Sequence, residues 1–162
     1  SPEPNLAMYG SLTGDNGNGN KIMELVPELF SGHLWAGYGY VSQGMFDEGI
    51  VELEISASLN PGTWTLSNLG MAYGVSGDTL KAQEIIDKIK AEKGYERFAN
   101  THLGNVYLSI GDMDNFIKYY DRALEYHEGQ LLASERIMRN IGVEKVDHPK
   151  FKEHRKKMNV IL

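Results

Sequence analysis

Several residue types and patterns are absent from this chain of 162 residues. It contains no cysteine, which excludes disulfide bonds and thiol chemistry. Its apolar runs fall well short of the roughly 18 residues that a membrane-spanning helix needs, and no pattern typical of a signal peptide opens it. We therefore expect a soluble, cytoplasmic protein with no membrane span. The start at Ser1-Pro2, without methionine, suggests a piece of a longer polypeptide.

Motifs typical of catalytic, phosphate-binding or metal-binding sites are also absent. The sequence has no zinc-protease HExxH motif, no nucleophile motif and no phosphate-binding loop. Counted from Asp15, the positions at which a calcium loop needs oxygen ligands hold Gly17, Gly19 and Val26. The histidines do not follow the spacing of metal ligands on one helix; they are His33, His102, His127, His148 and His154. We expect no enzymatic activity, no metal site and no cofactor.

Basic residues are scarce in the first part of the chain. Residues 1–60 hold one base, Lys21, against eight acids, whereas residues 143–162 hold six bases and three acids. Nucleic acid binding needs a continuous basic face, so we expect no nucleic acid partner for this domain. The asymmetry permits head-to-tail contacts between copies or neighbouring domains, so a homo-oligomer remains open. The alternative is a solvated charge gradient without a partner.

The chain contains one short sequence motif three times, called the repeated phrase below. Residues 36–44, 69–77 and 103–111 all read as a small or apolar residue, then Gly-x-x-Tyr-x-x-x-Gly. The first glycines, Gly37, Gly70 and Gly104, are 33 and 34 residues apart. A period near 34 is typical of helix pairs stacked as a solenoid, and this pattern resembles the tetratricopeptide repeat. The repeated glycines and tyrosines are interpreted as packing residues.

The resemblance implies an all-α fold: a right-handed superhelical α-solenoid of antiparallel helix pairs, with about three repeats plus capping helices. We predict helix pairs at 30–43 with 46–58, at 64–76 with 79–92, and at 96–110 with 113–127. The glycines that close each phrase should end the first helices, and Asp47, Asp78 and Asp112 are suited to capping the second ones.

The predicted domain organisation has three parts. Residues 1–20 form a flexible N-terminal segment, and residues 21–140 form the repeat domain. Within it the repeats cover about 30–62, 63–95 and 96–128, followed by a cap at 129–140. Residues 141–162 form a basic tail with a short helix.

The tail carries a second resemblance. Asp147-His148-Pro149-Lys150-Phe151, followed by Arg155-Lys156-Lys157-Met158, is similar to the closing segment of certain multidomain bacterial regulators. Those regulators are nucleotide cyclases, serine/threonine kinases and winged-helix transcription factors. The likeness implies that the chain is the sensory or interaction end of such a protein. The alternative, compatible with this, is a tail that folds back to cap the solenoid.

The repeat resemblance also implies a concave groove lined by the first helix of each pair. Asn68 and Asn105 lie there without a neighbouring Lys or Arg, so a clamp for a peptide carboxylate is disfavoured. The predicted groove is aromatic and apolar and suits a protein or peptide with apolar anchors. Its residues are Leu34, Trp35, Tyr38, Val41, Trp64, Asn68, Met71, Phe98, His102 and Asn105. Two alternatives stay open: the rings are core, or the domain is a homodimerisation module whose groove holds its own tail or a second copy.

Overall fold

The computed structural model describes residues 29–126 and Glu153, and within this part of the chain all regular structure is helical. The α-helices are α1 (Phe30–Ser42), α2 (Phe46–Leu59), α3 (Thr63–Ser76), α4 (Thr79–Lys90), α5 (Asn100–Ser109) and α6 (Met113–Glu125). A single 3-10 turn, Tyr95–Arg97, precedes α5.

These helices confirm the predicted all-α, tetratricopeptide-like solenoid. The predicted helix limits agree with the observed ones to within two residues, except in the third pair. There α5 begins at Asn100 instead of 96, because Gly94 adopts a left-handed conformation (φ 82°) and the 3-10 turn takes up the next residues. The predicted segment 1–20, the cap at 129–140 and the tail at 141–162 lie outside the described residues, apart from Glu153.

Packing within each pair depends on the first glycine of the repeated phrase. A Cβ atom on Gly37 would lie 2.5 Å from Leu53 Cγ, and one on Gly104 would lie 2.5 Å from Tyr120 Cδ2. Both distances are shorter than real contacts, so a larger residue would push the paired helices apart. The three closing glycines are Gly44, Gly77 and Gly111, with φ of 78°, 94° and 78°. They adopt the left-handed conformation that ends a helix.

Two of the three predicted caps are found. The Asp78 carboxylate accepts a hydrogen bond from the Lys81 backbone N–H at 3.1 Å, and Asp112 does the same for Asn115 at 3.1 Å. Asp47 was expected to act likewise, but α2 begins at Phe46, so Asp47 lies inside its first turn. An acidic residue there still interacts favourably with the helix dipole.

The repeated tyrosines connect neighbouring helix pairs. The Tyr73 hydroxyl of α3 donates to the Glu54 carboxylate of α2. The Tyr107 hydroxyl of α5 accepts a hydrogen bond from Lys90 Nζ of α4 at 2.6 Å, and its ring stacks on Tyr119 with centroids 5.4 Å apart. The second helices α2 and α4 are therefore each tied to the first helix of the next pair.

Burial increases along the described part of the chain. The buried apolar side chains of α1 and α2 are Leu34, Ala36, Leu53 and Ala57. In α5, every residue from 100 to 108 is buried. The two junctions differ as well: α3 packs mainly on α2 and only lightly on α1, whereas α5 packs mainly on α3. The first pair therefore buries fewer apolar side chains than either of the pairs that follow it.

Candidate functional site

Four aromatic rings meet where α1 passes the start of α3. The Trp35 and Trp64 centroids are 5.8 Å apart with planes at 71°. Phe30 meets Trp64 edge-on at 6.4 Å, and Tyr38 meets Trp35 edge-on at 6.5 Å. These four residues are called the aromatic cluster below. Edge-to-face contact is a favourable arrangement for aromatic pairs, so the rings support one another.

The local sequence explains how the cluster forms. Trp35 and Tyr38 are three residues apart on α1, which places them on neighbouring positions of one helix face. Trp64 is the second residue of α3, directly after the turn at Pro61-Gly62. Since α1 and α3 pack only lightly on each other, the rings fill the space between them.

The cluster is not a closed core. Trp64 is 42% exposed, and Phe30, Trp35 and Tyr38 are half-buried. A large aromatic side chain that serves only packing is usually much less accessible than Trp64. A ligand could therefore reach this surface.

The other predicted groove residues divide into two groups. Val41 and Asn68 are half-buried, and Phe98 is 44% exposed just before α5. The remaining four are buried, so the exposure expected for them is not found. They are Leu34, Met71, His102 and Asn105.

The buried polar residues of this second group have partners inside the protein. His102 Nδ1 lies 2.9 Å from Ser67 Oγ, and Asn105 Oδ1 accepts a hydrogen bond from the Tyr120 hydroxyl at 2.7 Å. Even the half-buried Asn68 uses its amide to donate to the Trp64 carbonyl at 2.8 Å. The neutral polar groups therefore contribute to structure here.

Sequence reasoning missed Phe30 as a member of the cluster. Phe30 lies one helical turn before Leu34 and two turns before Tyr38, so its position on the same side of α1 was available from periodicity. It stands outside the repeated phrase, which explains the omission.

The stretch of sequence that contains the cluster is acidic. Residues 29–80 contain five acids and no Lys or Arg. Four of the acids are on α2, namely Asp47, Glu48, Glu52 and Glu54. Glu52 contacts the ring of His33 on α1 at 2.6 Å.

A second concavity of about 700 Å³ lies between α2, α3 and α4. Leu66, Leu69 and Ile85 supply apolar lining, and Lys81 and Lys88 line it from α4. The Tyr73 pKa is raised there, first because burial disfavours the phenolate and then because the Glu54 carboxylate accepts its hydrogen bond. No sequence motif pointed to this cavity.

Residues 29–126 bring no three His, Asp or Glu side chains together as metal ligands. None of the helices in this range is long and apolar enough to cross a membrane.

Comparison with known proteins places the third helix pair in a recognised class. The tetratricopeptide repeat family matches residues 99–128, which contain α5 and α6. No curated protein matches the chain. The match, together with the stacked helix pairs, defines a tetratricopeptide-like helical repeat protein, a class that generally mediates contacts between proteins.

Proposed function

We propose that this chain is a non-catalytic scaffold that binds a protein or peptide segment with apolar anchors at the aromatic cluster. The observation that carries the proposal is the 42% exposure of Trp64 within a four-ring cluster. Tryptophan and tyrosine dominate the energetics of protein interfaces because they bury large areas at low entropic cost. Leaving such a ring in water is unfavourable, and a ligand would remove that cost.

The repeat spacing suggests a direction for the ligand. Trp64 and Phe98 are 34 residues apart, occupy matching positions in consecutive repeats, and are 42% and 44% exposed. An extended or helical segment crossing the first helices would meet one ring per repeat. Val41 and Asn68, both half-buried, would flank it. The buried Leu34, Met71, His102 and Asn105 would support this surface from below.

The resemblance of residues 147–158 to the closing segment of bacterial regulators supports a wider role. We propose that the repeat domain is the interaction or sensory part of a larger regulatory protein. Its ligand would then be a partner or another part of the same polypeptide.

A peptide-library selection on the full chain tests the function. Selected peptides should bind the wild type with micromolar affinity, and Trp64→Ala should weaken them about thirtyfold, equivalent to about 2 kcal/mol for a hot-spot residue. The matched control is Leu80→Ala, which removes an equally apolar but 79% exposed side chain from α4. The affinity of Leu80→Ala for the selected peptides should equal that of the wild type.

Two results would contradict the proposal. If Trp64→Ala and Leu80→Ala have the same effect on every selected peptide, the cluster is not the site. A selection that returns no peptide, combined with a mass in light scattering that doubles with concentration, would favour a dimerisation module instead.

A further inference from the structure

We infer that the aromatic cluster selects a cationic segment, namely a Lys or Arg side chain that the partner carries beside its apolar anchors. This inference rests on the proposed function and specifies the chemistry of its ligand. It follows from the ring geometry, from the charge of the surrounding helices and from the use of the chain's own cations.

The rings are oriented to offer π faces in different directions. The interplanar angles are 87° for Phe30 with Trp64, 71° for Trp35 with Trp64 and 89° for Trp35 with Tyr38. Faces of aromatic rings carry negative potential and attract cations within about 6 Å of the centroid, with Trp the strongest. A cation between rings that lie nearly at right angles can contact more than one aromatic ring.

The charge on the surrounding helices favours the same ligand. The segment from 29 to 80, which contains α1, α2 and α3, carries five acids and no Lys or Arg. A basic segment approaching the cluster meets attraction and no competing cation from these helices. An acidic segment would meet repulsion without a compensating base.

Four of the described cations lie over other rings. Lys81 Nζ lies 5.0 Å from the Tyr73 centroid, and Lys90 Nζ lies 5.1 Å and 5.4 Å from those of Tyr107 and Tyr119. Lys118 and Arg122 also lie over Tyr119, each at 5.8 Å.

By contrast, none of the described cations lies over Phe30, Trp35 or Trp64. Three rings of the second and third pairs, those of Tyr73, Tyr107 and Tyr119, therefore have a cation within 6 Å of their centroids. Within residues 29–126, the faces of Phe30, Trp35 and Trp64 would therefore receive a cation from a ligand that carries one.

The test uses two synthetic peptides that differ only in charge. One is acetyl-Leu-Lys-Leu-Lys-Leu-amide, and the other replaces both lysines by norleucine, which keeps the aliphatic stem. The chain has only two tryptophans, Trp35 and Trp64, so its tryptophan emission reports on the cluster alone. We expect the lysine peptide to bind roughly two- to thirtyfold more tightly than its norleucine twin.

A variant separates ring contact from general charge attraction. Trp64→Leu keeps the site apolar, removes one π face and leaves Trp35 as the reporter. In this variant the preference for lysine over norleucine should fall towards equality. An unchanged preference would mean that the acidic helices alone attract the peptide, which overturns the inference.

The remaining outcomes distinguish this inference from the proposed function. Equal binding of the two peptides to the wild type overturns selection for a cation but leaves an apolar site in place. Absence of any emission change with either peptide up to millimolar concentration overturns the inference and also counts against the cluster as a binding site.

Discussion

Tyr73 shows at the scale of one residue how neighbouring repeats are joined. Its side chain is almost fully buried, and its hydroxyl donates to Glu54, which is exposed on α2. Burial, the largest cause, and the nearby carboxylate both raise the phenol pKa above its ordinary value. The protonated phenol is therefore the form that the folded state prefers.

Replacing Tyr73 by Phe should lower the free energy of unfolding by about 1 kcal/mol at neutral pH, because the hydroxyl loses its partner while Glu54 can rehydrate. A raised pKa means that the stabilising contribution is complete below the unfolded-state value near 10 and is lost as pH rises towards the folded-state value. Urea unfolding at pH 7 and above pH 10 should thus show that the free energy of unfolding decreases more with pH in the wild type than in Tyr73→Phe.

The control for this experiment is Tyr126→Phe, since Tyr126 is 51% exposed. Removing the Tyr126 hydroxyl should leave both the free energy of unfolding at pH 7 and its decrease at alkaline pH close to the wild-type values. If Tyr73→Phe follows the same alkaline slope as the wild type, the hydroxyl does not couple the two helices.

At the scale of one element, α4 depends on its N-terminal cap. Asp78→Ala removes the acceptor for the Lys81 N–H and should reduce stability by about 1 kcal/mol. Asp78→Asn keeps a capping oxygen and should restore most of the loss. It also removes the charge pair with Lys81 Nζ, but that pair is exposed and 3.8 Å long, so it contributes little. Thermal unfolding of the three proteins gives the comparison. Equal losses for Ala and Asn would point to the charge instead of the cap.

The helices themselves were predictable because glycine and aspartate mark their limits at a fixed period. Asp78 and Asp112 cap as expected, whereas Asp47 does not. The start of α5 was placed wrongly, because the turn after Gly94 has no counterpart in the other repeats.

The exposure of groove residues was less predictable, since it depends on how closely neighbouring pairs pack. Gly74 lets α3 approach α5 so closely that an added Cβ would lie 2.0 Å from Ser109 Oγ. Next to this contact Met71, His102 and Asn105 become buried. The contact between α1 and α3 is light, and there Trp35 and Trp64 stay accessible. Aligning repeats gives equivalent positions but does not give the spacing between pairs.

At the scale of the whole molecule, the rise in burial from α1 to α5 predicts a gradient of local stability. In helical-repeat proteins each unit contacts only its neighbours, so a poorly packed pair can open alone. Hydrogen exchange followed by mass spectrometry should show amides of 30–59 exchanging at least about tenfold faster than amides of 100–109. Uniform protection over both ranges would show a single cooperative unit.

The aromatic cluster has a consequence for this gradient. Three of its rings belong to the first pair and the fourth, Trp64, to the second, so a ligand held between them would connect the least buried pair to the next one. By thermodynamic linkage, a ligand whose free concentration is one hundred times its dissociation constant stabilises the conformation that binds it by about 2.7 kcal/mol. That amount is comparable to the energy of a local opening. Occupancy of the cluster and order of the first described helix pair would then be coupled equilibria, so that binding of a partner would restrict the opening of this pair.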